Sequence, residues 1–536
     1  MVGELDEKII SNGLGAQGVN MENDQTRSTV LAFVDKKPGP SRMITKAQIL
    51  SHRRCPRKLW LDEHQPDLST ASGAPAGSTS TKEKLKEVAK CVYGTLLSSP
   101  SEEAGNDTAS ADEDNRFGAD VVFSQSFCAG GVAVRSDIVI HESDAAIRII
   151  GLKATGQVKP QHIEEMAIQW HAAAASGLAV RSAAVTYVDK NWALEQEGDY
   201  VGLLHRTDVT EAVARLLSEV PDWIRDADLA LHAAEMPAAQ RGSHCNAPYE
   251  CGFQAYCHSL ERQPRHPADV LPSAGSQLRA MLRDENGIKE LEDIPDNLLS
   301  PLQLRVKEAT LTNTPYVNLE GASLALSKHS LPAYFLDFET VMATIPRWPG
   351  TRPFQQIPFQ HSLHVLNLDG SLTHHEFLDL SGEDPSRAIA EDLIDICGTT
   401  GPIFAYNASF EGRCLKALAD RFDDLKDDLL RLEVRLIDLL PMARSHFYHP
   451  NQKGSWSIKA VLPAVAPDLD YVALEGVQNG GLAVEAYAEA IAEGTSAERR
   501  EQLRRQLLAY CQLDTLAMVR IWSFFIGKDT AHIKQA

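Results

Sequence analysis

The sequence predicts an α/β protein of at least two units, and three observations predict it. Between Val132 and Val188 the order is strand, strand, helix, strand, with apolar runs at Val132–Ile140, Ile147–Leu152 and Ala183–Val188 around a helical period at His162–Ser176. From Tyr334 a second pattern begins: AYFLDFETV, QHSLHVLNL and SLTHHEFLDL, the last two joined by a turn at Asp369-Gly370, read as a three-stranded antiparallel meander. A strand at Pro402–Tyr406 follows among helices, which makes a mixed sheet with flanking helices. The third observation is length, since 536 residues at 43% hydrophobic exceed the roughly 250 to 300 over which one core keeps growing.

Taken in order, residues 1–40 are polar, rich in Gly, Asn and Asp, and lack sustained apolar periodicity, which predicts a disordered tail. A helix at Lys82–Tyr93 separates a stretch dense in Ser, Thr, Gly and Pro, Pro66–Thr81, from an acidic polar one, Ser99–Asn115, and both stretches are expected as surface loops. With the strands and helix above, these make a unit over 41–263. Residues 264–330, with charged runs such as RDENGIKELEDIPDN, are expected as a helical connector. The last unit, 331–527, adds helices near 385–397, 411–421 and 499–524, and the chain has no internal repeat.

Composition narrows the function. The formal charge of -21, from 73 acidic and 52 basic residues, opposes the usual basic footprint of a nucleic-acid binder, although bound metal ions and a small basic groove can offset it locally. No stretch approaches the roughly 18 consecutive apolar residues of a membrane span, and the start MVGELDEKIISNG lacks a secretory pattern. A soluble, cytoplasmic protein with no membrane partner is the expectation. Nine cysteines are too few for a disulfide scaffold in so long a chain.

Three acidic elements carry chemistry. Asp337 and Glu339 are two residues apart on an apolar strand, so both project from one face. The segment GPIFAYNASFEGRC is a strand ending at Asn407, with Glu411 near the start of the next helix, where a carboxylate could serve only the helix N-terminus. In LLAYCQLDTLAMV, Tyr510 and Asp514 lie four residues apart on one helical face. Asp438, at the end of an apolar run, is a supporting candidate that could equally cap the following helix.

Together, in this order, these pieces resemble the DEDD exonucleases of the ribonuclease H-like fold, in the subgroup whose last motif is Tyr-x-x-x-Asp. The resemblance implies that Asp337, Glu339, Glu411 and Asp514 hold Mg²⁺ or Mn²⁺, hard ions that take oxygen ligands, that Tyr510 orients the attacking water, and that nucleotides leave from a 3' end. Many relatives carry Asp where Glu411 stands. Residues 331–525 also resemble a bacterial family catalogued as domain of unknown function 2779, through FLDFET, IPFQHSLH, NASFE, GSWSIK and YCQLDT. In that context Ser457, Ile458 and Lys459 are either phosphate contacts or a plain surface loop.

Cys245, Cys251 and Cys257 fall within thirteen residues, and Cys55 stands far upstream in ILSHRRCPRKLWL. Three clustered thiols and a distant one suit either an iron-sulfur cluster or zinc, because both accept sulfur ligands. The arrangement resembles the iron-sulfur nucleases of the RecB and Cas4 type, in which such cysteines clamp the ends of a PD-(D/E)XK, restriction-endonuclease-like α/β domain. That resemblance implies a 4Fe-4S cluster. It also implies a nuclease site at Asp137, Lys153 and Gln169, but Gly151 stands where the family places Glu. The site is therefore expected to be degenerate unless another acid, such as Glu142, substitutes. Arg53, Arg54, Arg57 and Lys58 then offer either a phosphate-binding patch or a solvated face. The expected function is a 3'-5' exonuclease acting on DNA or RNA, and the alternative is a non-catalytic nucleic-acid-binding scaffold in a repair or defence assembly.

Overall fold

The computed structural model describes residues 43–528 except 71–77, 99–119, 143, 248, 262, 273–277, 279–281 and 283–286. The expected tail and the loop at 99–115 lie outside the described residues. The chain opens with β1 (Ile44–Thr45), α1 (Lys46–Arg54), α2 (Pro56–His64) and α3 (Ser78–Ser98). The Thr45 and Gln48 side chains cap α1 reciprocally, and Pro56 at the first position of α2 has no N–H to leave unsatisfied.

Strands β2 (Asp120–Phe123), β3 (Ser126–Ala129), β4 (Val132–Arg135), β5 (Ile138–His141) and β6 (Ala146–Lys153) follow, and α4 (Pro160–Ala175) carries the chain back so that β7 (Ala179–Val188) pairs parallel with β6. With β8 (Leu204–Asp208), one sheet runs β2-β5-β6-β7-β8, and a second runs β1-β4-β3. The strand expected over Val132–Ile140 is therefore two strands in two sheets. The ladders exchange partners at the break, where Ser136 N–H donates to Gln125 O and Ser124 N–H to Asp137 O. The polar run Arg135-Ser136-Asp137 interrupts the apolar pattern at that point, and the single-strand expectation ran across it. Helices α5 (Thr210–Ala214), α6 (Val220–Leu231) and α7 (Gln254–Ser259) complete this half.

The stretch expected as a connector contains α8 (Pro301–Thr312), β9 (Tyr316–Val317) and α9 (Leu319–Leu326). Its Val270, Leu291, Ile294 and Val306 are buried in the same core as Phe335, Phe404 and Trp522. Gly454 lies so close to this stretch, at φ +76, that a Cβ would stand 1.7 Å from Val270 O, so only glycine fits.

Beyond it come β10 (Ala333–Met342), β11 (Gln356–Leu366), β12 (Leu372–Leu378), α10 (Ser386–Cys397), β13 (Ile403–Ala405), α11 (Ser409–Arg421), α12 (Lys426–Glu433) and β14 (Leu436–Asp438). The remaining elements are α13 (Leu439–His446), β15 (Phe447–Tyr448), α14 (Ile458–Val465), α15 (Gly480–Ala490) and α16 (Ala497–Phe525). The five-stranded sheet runs β12-β11-β10-β13-β14; the expected meander is antiparallel, while β13 and β14 are parallel to β10. The whole is thus a mixed α/β architecture with helices against its sheets. β10 is central and apolar on both faces at its start, where Phe335 stacks on Phe404 at 5.3 Å and meets Trp522 of α16 edge-on at 5.9 Å. Burial of side chains this large contributes about 1.5 to 3 kcal/mol each and fixes α16 across the sheet.

Candidate metal centre

Asp337 and Glu339 project from one face of β10, and α16 brings Asp514 against them. One carboxylate oxygen from each of the three lies within 4.8 Å of the others. The register of β10 against β11 shifts just after Glu339, where Glu339 faces Gln360 and Thr340 faces Pro358. Such a bulge re-aims a side chain at the end of a regular ladder.

Helix α16 is held there by buried polar bonds as well as by packing. Gln360 Nε2 donates to Leu507 O at 2.9 Å, and Thr515 Oγ1 lies 2.7 Å from Ser362 Oγ and 2.8 Å from His364 Nδ1. Burial, with His374 and His375 nearby, lowers the pKa of His364 to about 3, so the imidazole is neutral in this network.

The electrostatics of the cluster are unfavourable without a counter-charge. Burial raises Asp337 well above the usual carboxylate range, and Asp514, Glu339 and Glu411 push it further. Glu339 is raised to about 8 by burial and by Asp514. Burial also raises Asp514, to about 6, opposed by a hydrogen bond from Tyr471, by the charge of Lys459 and by a hydrogen bond from Tyr510. Tyr471 donates its hydroxyl to Asp514 Oδ1 at 2.5 Å. Lys459 Nζ donates to Gln478 O at 2.7 Å and stands 4.7 and 4.9 Å over the rings of Tyr471 and Tyr510, with the Tyr510 hydroxyl 3.4 Å away. Cys511 Sγ donates to Asp337 Oδ2 at 3.5 Å.

Glu411 sits in the first turn of α11, close enough to Asp337 to influence it, but outside the three-carboxylate group. It is 2% exposed, its Oε2 has no hydrogen-bond partner, and burial raises its pKa to about 8. Asp438 does what the capping alternative required: its Oδ1 accepts from Leu440 N–H at the start of α13. The same oxygen accepts from Asn407 N–H, holding Asn407 at φ +74 just before α11. Ser457 is the N-cap residue of α14, so Lys459 is aimed at the site from the first turn of that helix.

In the N-terminal half, Cys55, Cys245, Cys251 and Cys257 line one cavity. Burial raises the Cys55 thiol, and Cys245 and Cys251 add to the rise. Of the four residues expected as a phosphate-binding patch or a solvated face, two are bonded to backbone carbonyls and two are ion-paired. Arg54 donates to the backbone oxygens of His244, Cys245 and Tyr249, Arg57 to Pro237 O, Arg53 pairs with Glu164 and stacks over Trp223, and Lys58 pairs with Asp62. Arg54 thereby ties the helix before Cys55 to the loop carrying the other three cysteines.

Asp137 and Lys153 line one cleft, where Asp137 Oδ2 accepts from Leu152 N–H and Lys153 pairs with Glu165 at 2.5 Å. Gln169 is fully buried and bonds within α4, to Glu165 O. Glu142 pairs with Arg148 and Arg181 instead of joining the cleft lining. A Cβ at Gly151 would meet Met166 Sδ at 2.8 Å, so α4 fills the space a side chain there would need.

No motif pointed to Tyr471, which opens a 3-10 turn (Tyr471–Ala473) between α14 and α15, or to Cys511 as a donor to Asp337. Lys459 was legible as a phosphate contact or a surface-loop lysine, but its partners come from residues 478 and 510.

Fold and site together define an α/β protein with a cluster of buried and half-buried carboxylates presented by a central strand and a late helix. Residues 334–457 match the family described as "Domain of unknown function (DUF2779)", a span that includes Asp337, Glu339 and Glu411 and stops before Lys459, Tyr510 and Asp514. No curated protein matches the sequence. A solved structure titled "Crystal structure of SSO0001" aligns at 11% identity over 36% of this chain and 87% of its own, with a TM-score of 0.19, too slight a likeness to support an argument.

Proposed function

We propose that the protein is a metal-dependent nuclease whose C-terminal half, read as ribonuclease H-like, hydrolyses phosphodiester bonds of DNA or RNA from a 3' end. The observation that supports this is the convergence of Asp337, half-buried, with the buried Glu339 and Asp514 within 4.8 Å. Like charges so placed cost free energy unless a cation occupies the space between them. The donor set is all oxygen, which fits Mg²⁺ or Mn²⁺. Opposite oxygens on such an ion stand about 4.2 Å apart, twice a metal–oxygen distance of about 2.1 Å, close to the spacing here.

Asp337, Glu339 and Asp514 would hold the ions, and Glu411, with an unpartnered buried oxygen, would complete the set. Two such ions about 4 Å apart would supply an activated water and stabilise charge on the entering and leaving oxygens. Tyr471 fixes the rotamer of Asp514 through their hydrogen bond. Burial and the surrounding carboxylates push the Tyr510 phenol far up, so it keeps its proton, which it donates to Asp514, and would orient a water as an acceptor without acting as a base. Lys459 adds positive charge beside the carboxylates, where a phosphate would approach.

The N-terminal half is read as a restriction-endonuclease-like domain clamped by Cys55, Cys245, Cys251 and Cys257, whose thiolates would hold a 4Fe-4S cluster or zinc. Its own nuclease site is degenerate in this reading, because Gly151 supplies no carboxylate where the family places Glu.

The test is degradation of 3'-labelled and 5'-labelled single strands of DNA and RNA with Mn²⁺, comparing wild type with Asp337→Ala and Asp514→Ala. Cleavage lost in both variants supports the reading and gives the polarity. No cleavage by wild type on any substrate would replace it with the non-catalytic nucleic-acid-binding scaffold.

A further inference from the structure

The cleft lined by Asp137 and Lys153 is basic although the chain as a whole is acidic. It has a volume of about 550 Å³, and five of its lining residues are cationic against two acids, Asp137 and Glu165. The cations come from four elements: Lys46 from α1, Lys82 and Lys86 from α3, Arg135 from β4 and Lys153 from β6. On α3, Lys82 and Lys86 are one turn apart, flanked on that side by Leu85 and Ala89, which are buried.

These charges are not equally committed. Glu165 pairs with Lys153 at 2.5 Å and with Lys46 at 3.6 Å, so a single carboxylate serves two lysines at the floor. Lys86 pairs with Glu83. Lys82 and Arg135 are exposed, and neither forms an ion pair among the described residues. Ser124 and Ser126 add hydroxyls to the same wall. A chain with a net charge of -21 that keeps this excess of cations in one open cleft provides for a polyanion. Charges spread along a wall from four elements suit successive phosphates of a strand better than one compact phosphate group, which calls for a convergent cradle.

We propose that this cleft binds the phosphodiester backbone of a single nucleic-acid strand, with Lys82 and Arg135 as the outer contacts and Lys46 and Lys153 as inner contacts held in reserve by Glu165. The proposal rests on the nucleic-acid reading above and moves the grip away from Arg53, Arg54, Arg57 and Lys58, whose contacts are internal. Strand phosphates would compete with the Glu165 carboxylate for the two inner lysines.

The test is fluorescence anisotropy of a labelled single-stranded oligonucleotide with the full-length protein in EDTA, so that no cleavage intervenes, across a salt series. The Lys82→Glu/Arg135→Glu double variant should bind at least tenfold more weakly. Its salt dependence should also be shallower by about 1.4 in log–log slope, two phosphate contacts at about 0.7 each. Glu165→Gln should bind more tightly than wild type, because it releases Lys46 and Lys153. Unchanged affinity and slope in the double variant, or weaker binding by Glu165→Gln in protein with the wild-type circular dichroism spectrum, would overturn the assignment. Those failures leave cleavage at Asp337 and Asp514 standing. Absence of cleavage by wild type would instead defeat the nuclease reading while the binding differences still supported the cleft.

Discussion

Replacing Glu411 by Gln should stabilise the metal-free protein, by an amount that grows with pH. The side chain is 2% exposed with an unpartnered Oε2, and burial raises its pKa from an ordinary 4.5 to about 8. A carboxyl whose folded pKa is raised contributes its full stability below the unfolded value and loses it as pH rises through the folded value. The loss therefore begins near pH 4.5 and levels off above about 8. With about 1.36 kcal/mol per tenfold change, the ionisation penalty is below about 1 kcal/mol at pH 5, about 3 kcal/mol at pH 7 and approaches 5 kcal/mol above pH 9. Gln keeps the shape and cannot ionise, so the difference from wild type should follow that curve. Unfolding by heat or urea in EDTA at pH 5, 7 and 9 measures it. A Glu411→Gln difference that is flat with pH, or a variant less stable than wild type at pH 9, would refute the reasoning and make Glu411 an ordinary buried hydrogen-bonding group.

Divalent ions should stabilise wild type in the same assay, and more at pH 8 than at pH 6, because Glu339 and Glu411 must lose protons to bind them; an ion effect independent of pH would count against these ligands. Tyr471→Phe, which removes the hydrogen bond to Asp514, should lower Mn²⁺ affinity or turnover by about 10- to 100-fold with little change in fold, measured by Mn²⁺ titration and steady-state kinetics. Asp337→Ala and Asp514→Ala should fall below roughly 1% of wild-type cleavage, a larger loss than that of an outer-shell partner. Anaerobically purified protein should be brown and lose its colour in Cys251→Ser, whereas a colourless preparation with stoichiometric zinc would select the other metal. Phe335→Ala should cost about 3 to 5 kcal/mol in chemical denaturation, since the ring is fully buried between Phe404 and Trp522.

How far the sequence disclosed this arrangement depended on whether a feature was local. Asp337 and Glu339 share a face because strands have a period of two, and Tyr510 and Asp514 share one because helices have a period near 3.6; both pairs were legible without a partner in view. The meander was legible because its turn and alternation lie within one stretch. The split of Val132–Ile140 into two sheets was marked locally only by the polar run Arg135-Ser136-Asp137, because which sheet each half joins also depends on β1 and β2, outside that stretch. Arg54 read as a surface cation in sequence, yet it spends its donors on carbonyls about 190 positions away. Lys459 and Tyr471 were obscure for the same reason: their roles are set by Gln478, Tyr510 and Asp514, brought to them only by the fold.

The division of the carboxylates between β10 and α16 has a consequence for how the cluster comes to be assembled. Asp337 and Asp514 are 177 positions apart, and the matched span 334–457 ends before the second of them is made. During synthesis the strand carboxylates therefore emerge early and wait, hydrated and harmless, until the late helix lies across them. Docking of that helix both removes water from the acids and supplies the last of the three. Maturation of the centre is thus timed by the final long helix of the fold, and a chain interrupted before it would keep the β10 carboxylates without ever assembling the cluster.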